Sequence, residues 1–293
     1  MKDFQFTDTQ ELEFKKNGFL VLENFLAAEK CDELRAECKR LIDEMDPKDH
    51  LQVFSTDSHE QMGNDYLFDS TDKIGYFWEA KAKDEKGNLI VPKHNALNKM
   101  GHALHIKSPP FKEVTYDERI QQILRKLNFV KPSIIQSMFI FKPPNIGGEV
   151  NRHIDATFLY SDPLKLIGVW IALEDTTLEN GCLKFAAGSH KTTDVTLRMV
   201  RNREKGASPP LLFEGSLDFL PFDSFDPVPV KKGSLILIDG KVQHCSDKNA
   251  SENSRHVYAF HLTESYQSEW CSRNWLQPTK SLPVFPALYD DSK

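Results

Sequence analysis

Nowhere in the 293 residues is there an apolar run near the roughly 20 residues that cross a bilayer, so no membrane span is expected. The first residues, MKDFQFTDTQELEF, mix both charges and lack the apolar core of a secretory signal. The last four, DDSK, are not the peroxisomal S-K-L tripeptide. No C-x-x-C pair occurs among the five cysteines, Cys31, Cys38, Cys182, Cys245 and Cys271, and their odd number argues against a disulfide framework. These absences lead us to expect free thiols and an intracellular, cytoplasmic location. Positive charge is also short. With a net charge of −6, neither nucleic acid nor an anionic membrane is an expected partner. Internal repeats and low-complexity segments are missing too. What remains is an ordinary globular composition, 40% hydrophobic and 27% charged, in a chain long enough to bury a sizeable core. A monomer acting on a small molecule is the expectation.

The hydrophobic pattern changes period along the chain. A short helix is predicted over residues 8–17, with Asp8 and Glu11 at capping-box separation and Gly18 as its stop. Phe19 to Leu22 reads as a short buried strand. A second helix is predicted over about 27–45, with Leu34, Cys38, Leu41 and Met45 as its buried stripe. Residues 46–95 look polar and irregular, with a turn at 84–89, and 117–128 suits another helix. From Ser133 short apolar runs separated by Gly and Pro take over: 133–142, 149–160, 166–174, 182–186 and 233–238. Val242–Ser246 and Arg255–Thr263 are expected to pair with each other as strands. The long polar segment 189–229 suggests a functional loop or lid. Many short strands with glycine turns favour an antiparallel barrel or double sheet. The expectation is one domain over 1–293: a helix-rich part (1–130) packed on a β core (131–265), followed by a tail (266–293).

The chemistry starts at Arg152-His153-Ile154-Asp155. In extended chain, side chains two residues apart share a face, so His153 and Asp155 project together and Ile154 turns away. One imidazole and one carboxylate are two thirds of a 2-His-1-carboxylate facial triad, which leaves coordination positions open for a chelating cosubstrate and O₂. A lone H-x-D is weak. It gains weight from His244 far downstream, after the run Gly233–Ile238, and from Arg255, since a guanidinium suits the remote carboxylate of a dicarboxylic acid. Of the ten histidines, the nine besides His153 compete for the third position. His50, His59 and His94 read as surface. His102 and His105 can line a cavity, and His190 suits a structural hydrogen bond. His256 faces away from Arg255, whereas His261 lies on the Arg255 face and rivals His244. Spacing does not choose between those two.

The order of several further motifs resembles the phytanoyl-CoA dioxygenase family over nearly the whole chain. They are Asn17-Gly18-Phe19-Leu20-Val21-Leu22, residues 98–105, Gln136-Ser137-Met138, and 147–150 leading into His153-Ile154-Asp155-Ala156. Gly168-Val169-Trp170-Ile171-Ala172, residues 178–183, His244, Arg255 and Asn274–Pro278 follow. The resemblance implies a mainly β fold with flanking helices, a double-stranded β-helix (jelly-roll, cupin-like) core. It implies Fe(II) on His153, Asp155 and His244, with 2-oxoglutarate and O₂ as cosubstrates. It also implies Arg255 as anchor for the remote carboxylate, Ser246 as helper, and Lys99, Met138 and Trp170 along the 2-oxoglutarate pocket. The chain departs from the family at Ile154, where relatives often have Gln, and at Ala187, where many have Pro. Asp155 stands where related halogenases have a small residue, which implies hydroxylation instead.

The implied reaction is hydroxylation of a small organic or lipid-like substrate with release of succinate and CO₂. Arg198, Arg201, Arg203 and Lys205 form a basic run that could meet an anionic head group, although a solvated loop is the plainer reading. Two alternatives stand beside the oxygenase. One is a cupin-type metal enzyme without 2-oxoglutarate, for which Arg255 would have no use. The other is a catalytically silent or regulatory 2-oxoglutarate- or metal-binding protein, which would be expected to carry a damaged triad.

Overall fold

A computed structural model of the chain describes residues 4–50, 52–54, 66–202 and 208–292. The chain opens with helix α1 (Asp8–Asn17), strand β1 (Phe19–Leu22) and helix α2 (Ala28–Glu44). The capping box of α1 is Thr7 with Gln10, one residue earlier than Asp8 and Glu11. The Thr7 hydroxyl accepts from the Gln10 amide, and the Gln10 side chain accepts from the Thr7 amide. Gly18 ends the helix at φ +81°, a conformation that glycine adopts without strain. The buried stripe of α2 is Cys31, Leu34, Cys38 and Ile42, with Leu41 only partly covered.

Next come strands β2 (Val53–Phe54), β3 (Ile74–Glu79) and β4 (Leu97–His102), then helices α3 (Leu104–Lys107), α4 (Pro109–Thr115) and α5 (Glu118–Lys126). The expectation of an irregular 46–95 therefore fails at β3. Its run IGYFWE is buried almost throughout, so it shows no alternation to read. The rest is β-rich: β5 (Pro132–Ile140), β6 (Val150–His153), β7 (Ser161–Asp162), β8 (Leu166–Ala172) and β9 (Leu183–Phe185). Then follow β10 (Arg198–Arg201), β11 (Leu211–Glu214), β12 (Asp226–Val228), β13 (Leu235–Asp239), β14 (His244–Ser246), β15 (Val257–Glu264) and β16 (Glu269–Trp270).

Two sheets form the core. The larger has eight strands in the order β1-β13-β8-β15-β5-β4-β3-β2, and the smaller has four in the order β12-β9-β14-β6. This is the double-stranded β-helix expected, with helices on one side. Strand β15 shows how the layers are divided. Tyr258, Phe260 and Leu262 join one hydrophobic cluster with Phe14, Leu34, Phe111 and Ile123 of the helices. Val257 and Ala259 turn the other way and meet Phe185 of the small sheet. Each such buried aromatic or aliphatic side chain contributes about 1.5–3 kcal/mol. Among the described residues no helix is long and apolar enough to cross a membrane, and all five cysteines are free.

β14 and β15 do not pair with each other, contrary to expectation. β14 pairs with β6 and β9 in the small sheet, and β15 with β5 and β8 in the large one. The connecting loop crosses between sheets, held by the Asn249 side chain, whose amide donates to the carbonyls of Lys142 and Asn253. The 189–229 segment is more ordered than a simple loop. It contains β10, β11 and β12, and Met199, Val200 and Leu211 are buried.

Candidate metal centre

His153 ends β6 and His244 begins β14, and the register of that strand pair sets them directly opposite each other. Their rings lie 4.1 Å apart. Ile154 stays extended, so Asp155 returns to the same face as His153 before the chain tightens into a short 3₁₀ turn over Asp155–Thr157. The strand thus ends earlier than the 149–160 expected. Asp155 Oδ1 lies 3.7 Å from His153 Nε2 and 3.7 Å from His244 Nε2. One donor atom from each of the three residues falls within 4.8 Å of the others, and this is the only such group with metal-binding geometry among the described residues.

The backbone decides which ring nitrogens point inward. His153 Nδ1 lies 2.8 Å from the Asn151 carbonyl, and His244 Nδ1 lies 3.0 Å from the Val242 carbonyl. A carbonyl only accepts, so each Nδ1 carries a ring proton, and in the neutral ring each Nε2 presents a lone pair. Burial first, and His244 second, hold His153 down to about 4, so it is neutral near pH 7. Burial alone would raise the Asp155 carboxyl, but His261, His244 and His153 around it reverse this and hold it well below the usual carboxylate range. Two lone pairs and an anionic oxygen therefore converge with no proton between them. That arrangement is repulsive unless a cation lies at its centre, and its donor types suit a divalent transition metal. Phe185 stacks on His244 and Phe158 meets His153 edge-on, which fixes both rings.

His153 and Asp155 of the triad line a cavity of about 640 Å³. At one end of it Arg255 is 2% exposed. Its Nη1 donates to the Gly181 carbonyl at 3.2 Å, its Nε has no partner, and no ion pair reaches it among the described residues. Burial pushes the guanidinium down to about 10. Lys142 is also buried close by, held well below the usual lysine range by burial first and by Arg255 second. Its ammonium donates to the Gly148 carbonyl. Lys99 and Met138 line the same cavity, and burial pushes the Lys99 amine down to about 7. Trp170 lies behind the guanidinium, its ring 5.4 Å from Arg255 Cζ. Ser246 is buried two residues from His244, with its hydroxyl 3.5 Å from the Asp247 carbonyl.

The competing histidines are dispersed. His190 donates from Nε2 to the Lys15 carbonyl at 3.1 Å, the structural bond expected of it. His50 and His94 are half-buried, not free surface groups: His50 bonds the Tyr66 hydroxyl at 2.7 Å and His94 pairs with Asp43 at 2.9 Å. His59 lies outside the described residues. His102 lines the cavity, and His105 bonds Ser137 outside its lining. His261 does reach Asp155, but at the other carboxylate oxygen, 3.2 Å from Oδ2.

Sequence reasoning gave no site role to Lys142, Gln136 or the apolar cavity wall of Phe54, Phe158, Met199 and Phe213. Lys142 closes an apolar strand and signals itself only by standing before Pro143-Pro144. Of the basic run, Arg198 bonds Asn274 at 2.7 Å and stacks on Tyr160. Arg201 donates twice to the Trp275 carbonyl. Both are committed to holding the wall, so the head-group role does not suit them. Arg203 and Lys205 lie outside the described residues.

Comparisons with known proteins agree with this architecture. The phytanoyl-CoA dioxygenase family pattern matches residues 14–257. The phytanoyl-CoA dioxygenase domain-containing protein 1 of Danio rerio is 49% identical over 97% of this chain and 98% of its own. The Caenorhabditis elegans homologue of that protein is 43% identical over 95% of this chain and 98% of its own. Among solved structures, the α-ketoglutarate-dependent carbocyclase SnoK superposes with a TM-score of 0.60 at 15% identity, over 96% of this chain and 97% of its own. EctD from S. alaskensis, solved with 2-oxoglutarate and 5-hydroxyectoine, gives 0.59 at 19% identity, over 90% of this chain and 78% of its own. Those likenesses show the fold. On the sequence match across most of its length, the chain belongs to the phytanoyl-CoA dioxygenase family.

Proposed function

We propose that the protein is an Fe(II)- and 2-oxoglutarate-dependent dioxygenase that hydroxylates a small organic or lipid-like molecule. The observation that carries this reading is the convergence of two proton-free Nε2 atoms and Asp155 Oδ1 at one end of a cavity whose other end holds the under-bonded Arg255. His153, Asp155 and His244 would hold the iron on one face. When bound, iron with 2-oxoglutarate and O₂ supplies the oxidising power, releasing succinate and CO₂ and delivering one oxygen atom to the substrate.

The chain's own share is positioning. Arg255 Nε is a free donor in a low-dielectric end of the cavity, where a dicarboxylic acid's remote carboxylate would complete its hydrogen bonds. Trp170 keeps the guanidinium from swinging back, and Met138 and Lys99 confine the cosubstrate between the two poles. Ser246 would add a hydroxyl contact after a rotation of its side chain. Phe54, Phe158, Met199 and Phe213 form a wall that displaces water and would accept an apolar substrate body. Asp155 fills with a carboxylate the place a halide would need, which supports hydroxylation. The pairing of a metal triad with an anion pole favours this over a metal enzyme without 2-oxoglutarate.

Anaerobic titration with Fe(II) and 2-oxoglutarate tests the reading. A visible iron-to-cosubstrate charge-transfer band is expected in the wild type and should vanish in His153→Ala. No band in the wild type would sink the proposal. Substrate-stimulated succinate release across candidate compounds then defines the molecule hydroxylated.

A further inference from the structure

The two oxygens of Asp155 have different surroundings. Oδ1 faces His153 and His244, whereas Oδ2 points into a slot on the large sheet. His261 Nε2 lies 3.2 Å from Oδ2, at ion-pair distance but out of hydrogen-bond direction. The other ring nitrogen, Nδ1, lies 3.2 Å from the amide nitrogen of Gln136. An amide nitrogen only donates, so Nδ1 is the lone-pair nitrogen and Nε2 carries the ring proton. The proton is therefore on the nitrogen that faces the carboxylate. Gln136 and His261 are both buried, at 5% and 8% exposure, in the wall of the cavity.

The opposite wall of the slot is Gly168. A Cβ there would sit 3.1 Å from Asp155 Oδ2 and 3.5 Å from His261 Cδ2, tight enough to push on the carboxylate. The register explains why these three residues meet. β15 pairs His261 with Gln136 of β5 on one side and with Gly168 of β8 on the other. A bulge places the extra residue Ile135 on β5 beside this row, which lets Gln136 reach His261 on the cavity face. Three adjacent strands thus present an amide donor, an oriented imidazole and a gap in a single line beneath Asp155.

We infer that the row Gln136–His261–Gly168 is a positioning device that holds Asp155 Oδ2, so that the carboxylate enters the metal site through Oδ1 alone. The inference rests on the iron-centre reading above. A carboxylate free to turn could offer both oxygens and fill a position that the cosubstrate or O₂ needs. His261 is then neither a spare ligand nor a core histidine. It acts on the metal through Asp155, and Gln136 acts through His261.

Mn(II) affinity, from free Mn(II) counted by electron paramagnetic resonance, tests this on the full chain without turnover. The visible ligand-field spectrum of the Co(II)-loaded protein reports geometry. His261→Leu should weaken Mn(II) binding by roughly 10–100-fold and alter the Co(II) spectrum. His261→Gln, whose amide N–H can face Oδ2, should recover most of both. Gln136→Leu should move both readouts in the same direction by less. Wild-type affinity and spectrum in His261→Leu would overturn the inference. So would a His261→Gln protein as impaired as His261→Leu, which would assign the effect to packing. If His261→Leu fails to fold, Gln136→Leu decides, and unchanged values there overturn the inference. Failure of the wild type to bind Mn(II) or Co(II) would instead count against the iron-centre reading itself.

Discussion

The two poles of the cavity solve the problem of buried polar groups in opposite ways. At the triad, backbone carbonyls fix both imidazoles, and His261 with Gln136 stands behind a carboxylate whose Oδ2 lies at ion-pair distance from the ring. At the other pole, Arg255 is nearly as deeply buried as the core yet, among the described residues, has one carbonyl for five donors. A ring tied to a backbone carbonyl is built to keep its geometry. A buried cation left short of partners is built to receive an anion, and it costs stability until one arrives.

Four perturbations break or sharpen this contrast. The largest effect is expected from His244→Ala, which removes a donor outright. Metal affinity should fall beyond the ~10–100-fold that a supporting group contributes, as read by Mn(II) titration. Retained tight binding would mean the three donors do not act as a set. Arg255→Met should act with two signs. Binding of 2-oxoglutarate to the metal-loaded protein should weaken by about 2–5 kcal/mol, well over tenfold, in calorimetry. The unliganded protein should become more stable in urea unfolding, by about 1–4 kcal/mol, because an unpaired buried charge has gone. A destabilised unliganded variant would show that Arg255 is paid for within the fold.

A smaller and broader effect is expected from acid. Burial holds His153 and His256 down to about 4 and His105 to about 3. Their folded values lie below the unfolded one, so the unfolded chain takes up protons first. Their stabilising contribution is complete above about pH 6.5 and is lost as pH falls toward 4, by up to ~1.4 kcal/mol per pH unit for each histidine. Urea unfolding that is flat between pH 7 and 5 would contradict this. The smallest effect is expected from Thr7→Ala, far from both poles. It should cost about 0.5–2 kcal/mol of stability through the lost helix cap and leave metal affinity unchanged.

How much of this was legible in the residues varies with the range of the interaction. Helix α1 was readable from its Gly18 stop and α2 from its apolar stripe, because such signals lie within a few residues of each other. The strand β3 was not, because burial on both faces erases alternation. The pairing of β14 with β15 was misread because adjacency in sequence is a poor guide where the chain alternates between the sheets, as it does from β12 to β15. Arg255 was legible as a cation near the site, but its shortage of partners appears only once Gly181 and Trp170 are packed around it.

The sequence by itself determined that His153 and Asp155 share a face, since two residues of extended chain do so wherever they lie. Motif order pointed to the family as well. Tertiary structure alone decided how His244 and His261 divide Asp155 between them. Both approach the same carboxylate, one from the small sheet toward Oδ1 and one from the large sheet toward Oδ2. Which oxygen each meets depends on strand pairings formed across the whole fold, and no local spacing encodes those.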